Sequence, residues 1–462
     1  MLRPSIDRLM RHAARAARPI VFGLGVGMCL AALPLVAASP ARADIAAWIV
    51  VDAETGAVLD QKQARRQWYP ASITKLMTAY LAFKAVREGR ATLQSAVTIS
   101  ANAHAEPPSK MGFKPGTRIT LDSALKMVIV KSANDVAVAL AEAIAGSEPA
   151  FIAMMNAEAA RLGMTGTRFV NPHGLPDNRQ VSTARDLAVL ARAVWQEFPQ
   201  YRAYFNLPGI RVGNKALRSA NREFLLRVPG ANGMKTGYIC NSGLNVAVSA
   251  TRRGRTVIAV ILGAASGVER AAKARTLIEA GFRTRNGRSV DQLAGVDGGP
   301  PADSYCKRNP RPTAEELLEQ FAAKPKRAPV LSFSRAEDDN SRIRGGLALM
   351  PAAPGGTEVP KKADGETDWA KVMDTVIGPR RMAYEPIEVS LRTPSTAPRG
   401  ATDGPIEVPG APIPRLKPLG AAASSLVPAT AAAAAPQPPK PGAIFQGQPL
   451  VLVPVPRASP GD

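Results

Sequence analysis

The stretch Trp68-Tyr69-Pro70-Ala71-Ser72-Ile73-Thr74-Lys75 decides how the rest of the chain is read. Pro70 suits the entry to a helix. Beyond it Ile73, Leu76, Met77, Tyr80 and Leu81 fall at i, i+3, i+4, i+7 and i+8, which predicts a helix beginning near Ser72 with that face buried. On such a helix Ser72 and Lys75 lie about 60° apart, beside the apolar stripe. A hydroxyl at a helix N-terminus meets the positive end of the macrodipole, and a partly desolvated ammonium one turn away has a lowered pKa. That is a way to activate a serine without a histidine. Alone, the S-x-x-K spacing is weak, because a Ser N-cap beside a solvated Lys writes the same string.

Two further motifs lie downstream. Ser132-Ala133-Asn134 follows an apolar helical stretch marked by Leu121, Leu125, Val128 and Ile129 and precedes another over 136–144. A polar trio there suits a cleft wall, or an ordinary turn between helices. Lys235-Thr236-Gly237 follows Gly233-Met234 and stands just before a pair of strands over 243–250 and 256–262. On an edge strand a cation and a hydroxyl can hold a carboxylate, and Gly lets a substrate backbone lie close. Two short strands are expected over 46–59 around the turn Asp52-Ala53-Glu54-Thr55-Gly56, and a helix over 268–282. Strands from both ends of this region can join one antiparallel sheet, with the intervening helical segment forming a subdomain against it, an α+β (or α/β) arrangement.

Composition bounds the rest. The chain has 462 residues, and 27 of its 41 prolines fall in the last 163, which argues against a second core there and predicts a mostly disordered Pro/Ala-rich tail over 300–462. One interruption is Trp369, Val372, Met373, Val376 and Ile377, spaced as one helical face before Gly378-Pro379. A short helix docking a partner protein, or a transient helix that binds nothing, fits that spacing. The net charge of +22 lies mostly upstream of residue 300 and favours anionic surfaces. Zinc-finger spacing, ribonucleoprotein aromatics and a basic zipper are all lacking, so nucleic acid is not the expected partner. Arg3, Arg8, Arg11, Arg15 and Arg18 precede an apolar run over 20–38 and then Ala41-Arg42-Ala43, the pattern of a cleavable signal peptide over 1–43. A periplasmic or other extracytoplasmic location follows. Its removal leaves Cys240 and Cys306 where disulfides persist, as one bridge or as two separate thiols. His104 and His173 lack metal-site spacing, no metal or cofactor is expected, and His173 reads as a turn residue with a satisfied ring.

The three motifs in this order resemble those of the penicillin-binding D-alanyl-D-alanine carboxypeptidases over roughly residues 44–285. Leu162-Gly163-Met164, Thr167, Phe169 and Asn171-Pro172-His173-Gly174-Leu175 add to the likeness. The resemblance implies a serine β-lactamase/DD-peptidase-like fold over 44–299, cleavage of the terminal D-alanine from peptidoglycan stem pentapeptides, and covalent inhibition by β-lactams. It makes Ser72 the acylated nucleophile, Lys75 its base, Ser132 and Asn134 the proton relay and substrate clamp, and Lys235 and Thr236 the carboxylate site, with Gly237 beside the substrate backbone. The N–H groups of Ser72 and Tyr238 would form the oxyanion hole, with Arg270 assisting the carboxylate. A serine β-lactamase shares the motif order, but no E-x-x-L-N string follows Asn134 before Lys235. A non-catalytic wall-binding scaffold is the other alternative. The β-rich domain and amphipathic anchor of many relatives find no counterpart in the tail pattern, so membrane anchoring is not expected.

Overall fold

Residues 45–322 and 358–391 are described in a computed structural model. The expected signal peptide over 1–43 lies outside them, as does the rest of the expected tail. Five strands form one antiparallel sheet: β1 (Ala47–Asp52), β2 (Val58–Lys62), β3 (Ala231–Ile239), β4 (Gly243–Arg252) and β5 (Arg255–Ala264), in the order β2-β1-β5-β4-β3. Strands from the two ends of the domain meet where Val50 pairs with Ala259. In β5, Ile258, Val260 and Leu262 enter one apolar core while Val257, Ala259 and Ile261 enter another. Successive side chains point to opposite faces. Burial on both faces is why this strand reads as an unbroken apolar run.

On one face lies α3 (Ala184–Glu197), with α1 (Lys75–Arg87) and α2 (Asn134–Ala145) sharing its core; on the other lies α4 (Gly267–Arg283). Helix α1 is the centre of the larger core, with Leu76, Met77, Tyr80 and Phe83 fully buried. Its polar end is tied to neighbouring helices by Lys84 to Glu158 at 2.7 Å and by the Tyr80 hydroxyl donating to Glu197 at 2.8 Å. This leaves the first turn of α1 facing β3.

The structure departs from the expectation for residues 300–462 in two stretches. Helix α5 (Ala314–Phe321) starts with a reciprocal capping box between Thr313 and Glu316, and buries Ala314, Leu317, Leu318 and Phe321. Helix α6 (Trp369–Val376) buries Val372 and Val376, followed by Ile377, in the same core as α4 and α5. The apolar face of Trp369–Val376 therefore docks on its own domain, which corrects the expected docking of a partner protein there. Farther on, Ile387 pairs in parallel with Ile210 of the hairpin Gly209–Val212 and Lys215–Arg218. Ser123 Oγ donates to the Ser390 carbonyl at 2.8 Å. The described prolines of this region, Pro310, Pro312, Pro360 and Pro379 among them, lie outside these helices, and each helix needs only eight residues.

Cys240 and Cys306 form one disulfide, with Cα atoms 4.9 Å apart, and the Cys306 N–H donates to the Cys240 carbonyl at 2.8 Å. The bridge ties the start of the late segment to the end of β3. For a separation of 66 residues, chain entropy assigns such a bridge about 4 kcal/mol, less any native strain.

Candidate active site

Ala71–Thr74 is a 3₁₀ turn, and the α-helix begins only at Lys75, three residues later than the apolar spacing predicts. Ala71 enters the turn with φ +49°, a left-handed conformation uncommon for a residue with a Cβ. In a 3₁₀ turn residues three apart eclipse. That geometry places Lys75 Nζ 3.0 Å from Ser72 Oγ. The lead-in is fastened to the sheet: Trp68 Nε1 donates to the Ser242 carbonyl at 3.0 Å, and the wholly buried Asn245 donates from Nδ2 to the Tyr69 carbonyl at 2.9 Å.

The second motif sits at a break between helices. The helix Leu121–Lys126 widens into a π-helical turn over Met127–Lys131, and Ser132 then adopts φ +61°. A non-glycine residue held there costs on the order of 1 kcal/mol. The chain reverses at this point, so Ser132 Oγ stands 3.0 Å from Lys235 Nζ while Asn134 opens α2 and accepts from Lys75 Nζ through Oδ1 at 2.7 Å. Asn134 Nδ2 also donates to the Pro107 carbonyl at 2.9 Å, and the buried Asp135 carboxylate accepts the Met111 and Gly112 N–H groups.

The third motif lies on β3, the edge of the sheet, with Ala247 opposite Lys235 and Asn245 opposite Gly237. A Cβ on Gly237 would come within 2.8 Å of the Pro70 carbonyl and 3.0 Å of the Ser72 nitrogen. Glycine is what lets the edge strand lie against the serine turn. Gly174 does the same from the other side, at φ +85°, where a Cβ would meet the Ala71 carbonyl oxygen at 1.9 Å. Tyr238, the next residue on β3, is 56% exposed. Arg270 of α4 is buried and donates to the Ala220 and Asn245 carbonyls, so it reaches the site through its charge. Burial, and then Arg270, pull Lys235 down to about 7.

Lys75 is fully buried, and its pKa is held well below the ordinary lysine value, first by desolvation and then by the nearby Lys235 charge. Its nitrogen touches three oxygens: Asn134 Oδ1 at 2.7 Å, the His173 carbonyl at 2.7 Å and Ser72 Oγ at 3.0 Å. The first two can only accept, so they take both hydrogens of a neutral amine. The remaining lone pair then faces the one partner with a proton to give, Ser72. The arrangement is that of a serine beside its base.

The structure therefore brings together Ser72, Lys75, Ser132, Asn134, Lys235 and Gly237 from three separate segments, with Thr236 and Tyr238 alongside on β3. Sequence reasoning did not assign a site role to the His173 carbonyl or to Asn245. A main-chain acceptor leaves no residue-type signal, and a buried Asn within an apolar strand is the only hint of the second. Both ring nitrogens of His173 are engaged, Nδ1 by the Leu175 N–H at 3.1 Å and Nε2 near Glu106 at 3.3 Å.

A site of this kind suits nucleophilic catalysis by a serine. The chain belongs to the D-alanyl-D-alanine carboxypeptidase family, whose model matches residues 35–266. It is 37% identical over 248 residues to D-alanyl-D-alanine carboxypeptidase DacC of Escherichia coli (strain K12), covering 52% of this chain and 62% of that one. With DacD of the same organism it is 33% identical over 279 residues, 59% of this chain and 72% of the relative. It spans less than two thirds of DacC and of the Salmonella typhimurium DacD. Among solved structures, penicillin-binding protein 6B from Escherichia coli is similar at TM-score 0.50 and 33% identity, covering 53% of this chain and 79% of that one. The D-alanyl-D-alanine carboxypeptidase DacD from Francisella tularensis also reaches TM-score 0.50, at 28% identity, covering 52% and 71%.

Proposed function

We propose that this chain is a serine D-Ala-D-Ala carboxypeptidase that removes the terminal D-alanine from peptidoglycan stem pentapeptides, exported by its N-terminal segment and acting in the periplasm. The observation that carries the reading is the three-oxygen environment of Lys75 Nζ, with Ser72 Oγ as its one hydroxyl partner. Family membership and the relatives' activity support it. The catalytic domain is read as residues 45–322 together with 358–391.

In this mechanism Lys75 takes the Ser72 hydroxyl proton as Oγ attacks the carbonyl carbon of the penultimate D-alanine. The N–H groups of Ser72 and Tyr238 receive the oxyanion, at about 3 to 4 kcal/mol for a donor of this type. The tetrahedral intermediate collapses, the C–N bond breaks, and the leaving amine takes, through Ser132, the proton that Lys75 removed from Ser72, which leaves Lys75 neutral again. Free D-alanine departs. Water then attacks the Ser72 ester, giving up a proton to the same base, and releases the shortened peptide. Lys235 and Thr236 hold the terminal carboxylate, and Asn134 helps position the peptide. β-Lactams acylate the same serine.

Lys235→Ala is expected to lower kcat/KM about 100-fold on a peptide ending in a free carboxylate, and less than about tenfold on its C-terminal amide. Peptide cleavage followed by chromatography measures both. Equal losses on the two would remove the carboxylate role. Because Lys235 is pulled down to about 7, its charge fades as pH rises through that value, and KM for the free acid should climb on the alkaline side.

A further inference from the structure

Outside the three motifs, one pair of titratable side chains meets beside the site, Glu106 in the loop after the helix Ala101–Ala105 and His173 in the turn 171–175. Glu106 Oε2 stands 3.3 Å from His173 Nε2, and His173 is almost wholly buried. Because the Leu175 N–H donates to Nδ1 at 3.1 Å, the ring proton belongs on Nε2, facing the carboxylate. The turn that carries His173 is stitched by the Gly174 N–H donating to Asn171 Oδ1 at 2.7 Å. It is also pressed against Ala71 at Gly174. From this turn the His173 carbonyl accepts from Lys75 Nζ at 2.7 Å.

The loop that carries Glu106 is fastened by the same helix that holds Lys75. Asn134 binds the Pro107 carbonyl through one amide atom and Lys75 through the other, and the next residue, Asp135, binds the Met111 and Gly112 N–H groups. Glu106 is thus joined to the Lys75 environment from both sides. We propose that Glu106 and His173 form a positioning pair that aims the His173 carbonyl at Lys75 and sets the charge balance around the base. The inference rests on the proposed acyl-enzyme reading and adds to it two positioning residues outside the three motifs.

The ionisable groups around this centre are Glu106 and Lys110 of the loop, Asp135 of α2, His173, and Lys235 of β3. Asp135 is occupied by backbone N–H groups. Lys235 pushes the Lys75 pKa down, whereas Glu106 and Asp135 push it up. Glu106 itself is held below the ordinary carboxylate value, first by its hydrogen bond to His173, so it is charged wherever acylation is measured. Removing its charge must lower the Lys75 pKa further. The acidic limb of acylation, which reports loss of the Lys75 proton, then moves to lower pH.

The test is the pH dependence of acylation by a labelled penicillin in the wild type, Glu106→Gln and Glu106→Ala. Glu106→Gln keeps an acceptor for His173 but not the charge. Its acidic limb should fall by about half a pH unit or more. Glu106→Ala should show the same shift together with a plateau about tenfold lower than that of Glu106→Gln, since the carbonyl loses its hold. A limb in Glu106→Gln that superimposes on the wild type or moves upward, or equal plateaus in the two variants, would overturn the pair. A wild-type chain that takes no label at all would instead overturn the proposed function beneath it.

Discussion

Lys75→Ala should slow acylation of Ser72 by about 10³-fold or more, the scale at which a positioned general base contributes. The side chain it removes is, among the described residues, the proton acceptor placed on Ser72, 3.0 Å from Oγ. In the wild type the rate rises with pH as Lys75 loses its proton and then levels off. Because burial and Lys235 hold that pKa well below the ordinary lysine value, the rise is complete far below the usual lysine range. In Lys75→Ala the acidic limb should vanish along with the rate. Lys75→Arg is expected to be as inactive, since a guanidinium keeps its proton throughout. The measurement is the time course of labelled-penicillin incorporation across pH, with thermal melting to confirm that each variant folds. Retention of more than a tenth of the wild-type rate in Lys75→Ala would remove Lys75 as the base.

Ending the chain after Asn309 should lower the melting temperature by about 10 °C or more. The cut keeps the Cys240 to Cys306 bridge but deletes α5 and α6, and with them Leu317, Leu318, Phe321, Val372, Val376 and Ile377 from the core on α4. Burying a side chain of this kind contributes about 1.5 to 3 kcal/mol, and in a domain this large each kcal/mol moves the midpoint by about 2 °C or more. The cut also removes the strand Ile387–Glu388, which pairs with Gly209–Val212, and the Ser390 carbonyl that holds Ser123 in the helical segment leading into Ser132. Activity should therefore fall with stability. A truncated chain that melts within about 2 °C of the full one would show that these helices rest on the domain without stabilising it.

The central sheet and the three motifs were legible because each leaves a residue-type signal: apolar runs at β1, β4 and β5, and serine or lysine at fixed spacing. What the apolar spacing could not reveal was the 3₁₀ entry at Ala71–Thr74, since the same residues would bury the same face in an α-helix starting at Ser72. The left-handed Ala71 and Ser132 depend on contacts from Gly174 and from Lys235, distant in sequence. Helix α5 did carry a readable signal, Thr313 and Glu316 as a capping box ahead of Leu317, Leu318 and Phe321. Average proline content over 163 residues hid an eight-residue element. The spacing of Trp369 to Ile377 marks a helical face, but the surface it covers, on α4 and α5, cannot be found from periodicity alone.

The most direct measurement is mass spectrometry of the intact protein and its peptides after brief exposure to a labelled penicillin. The account predicts one adduct, on Ser72, persisting for many minutes and absent in Ser72→Ala. An adduct on another residue, the same labelling in Ser72→Ala, or no labelling of the folded wild type would contradict it.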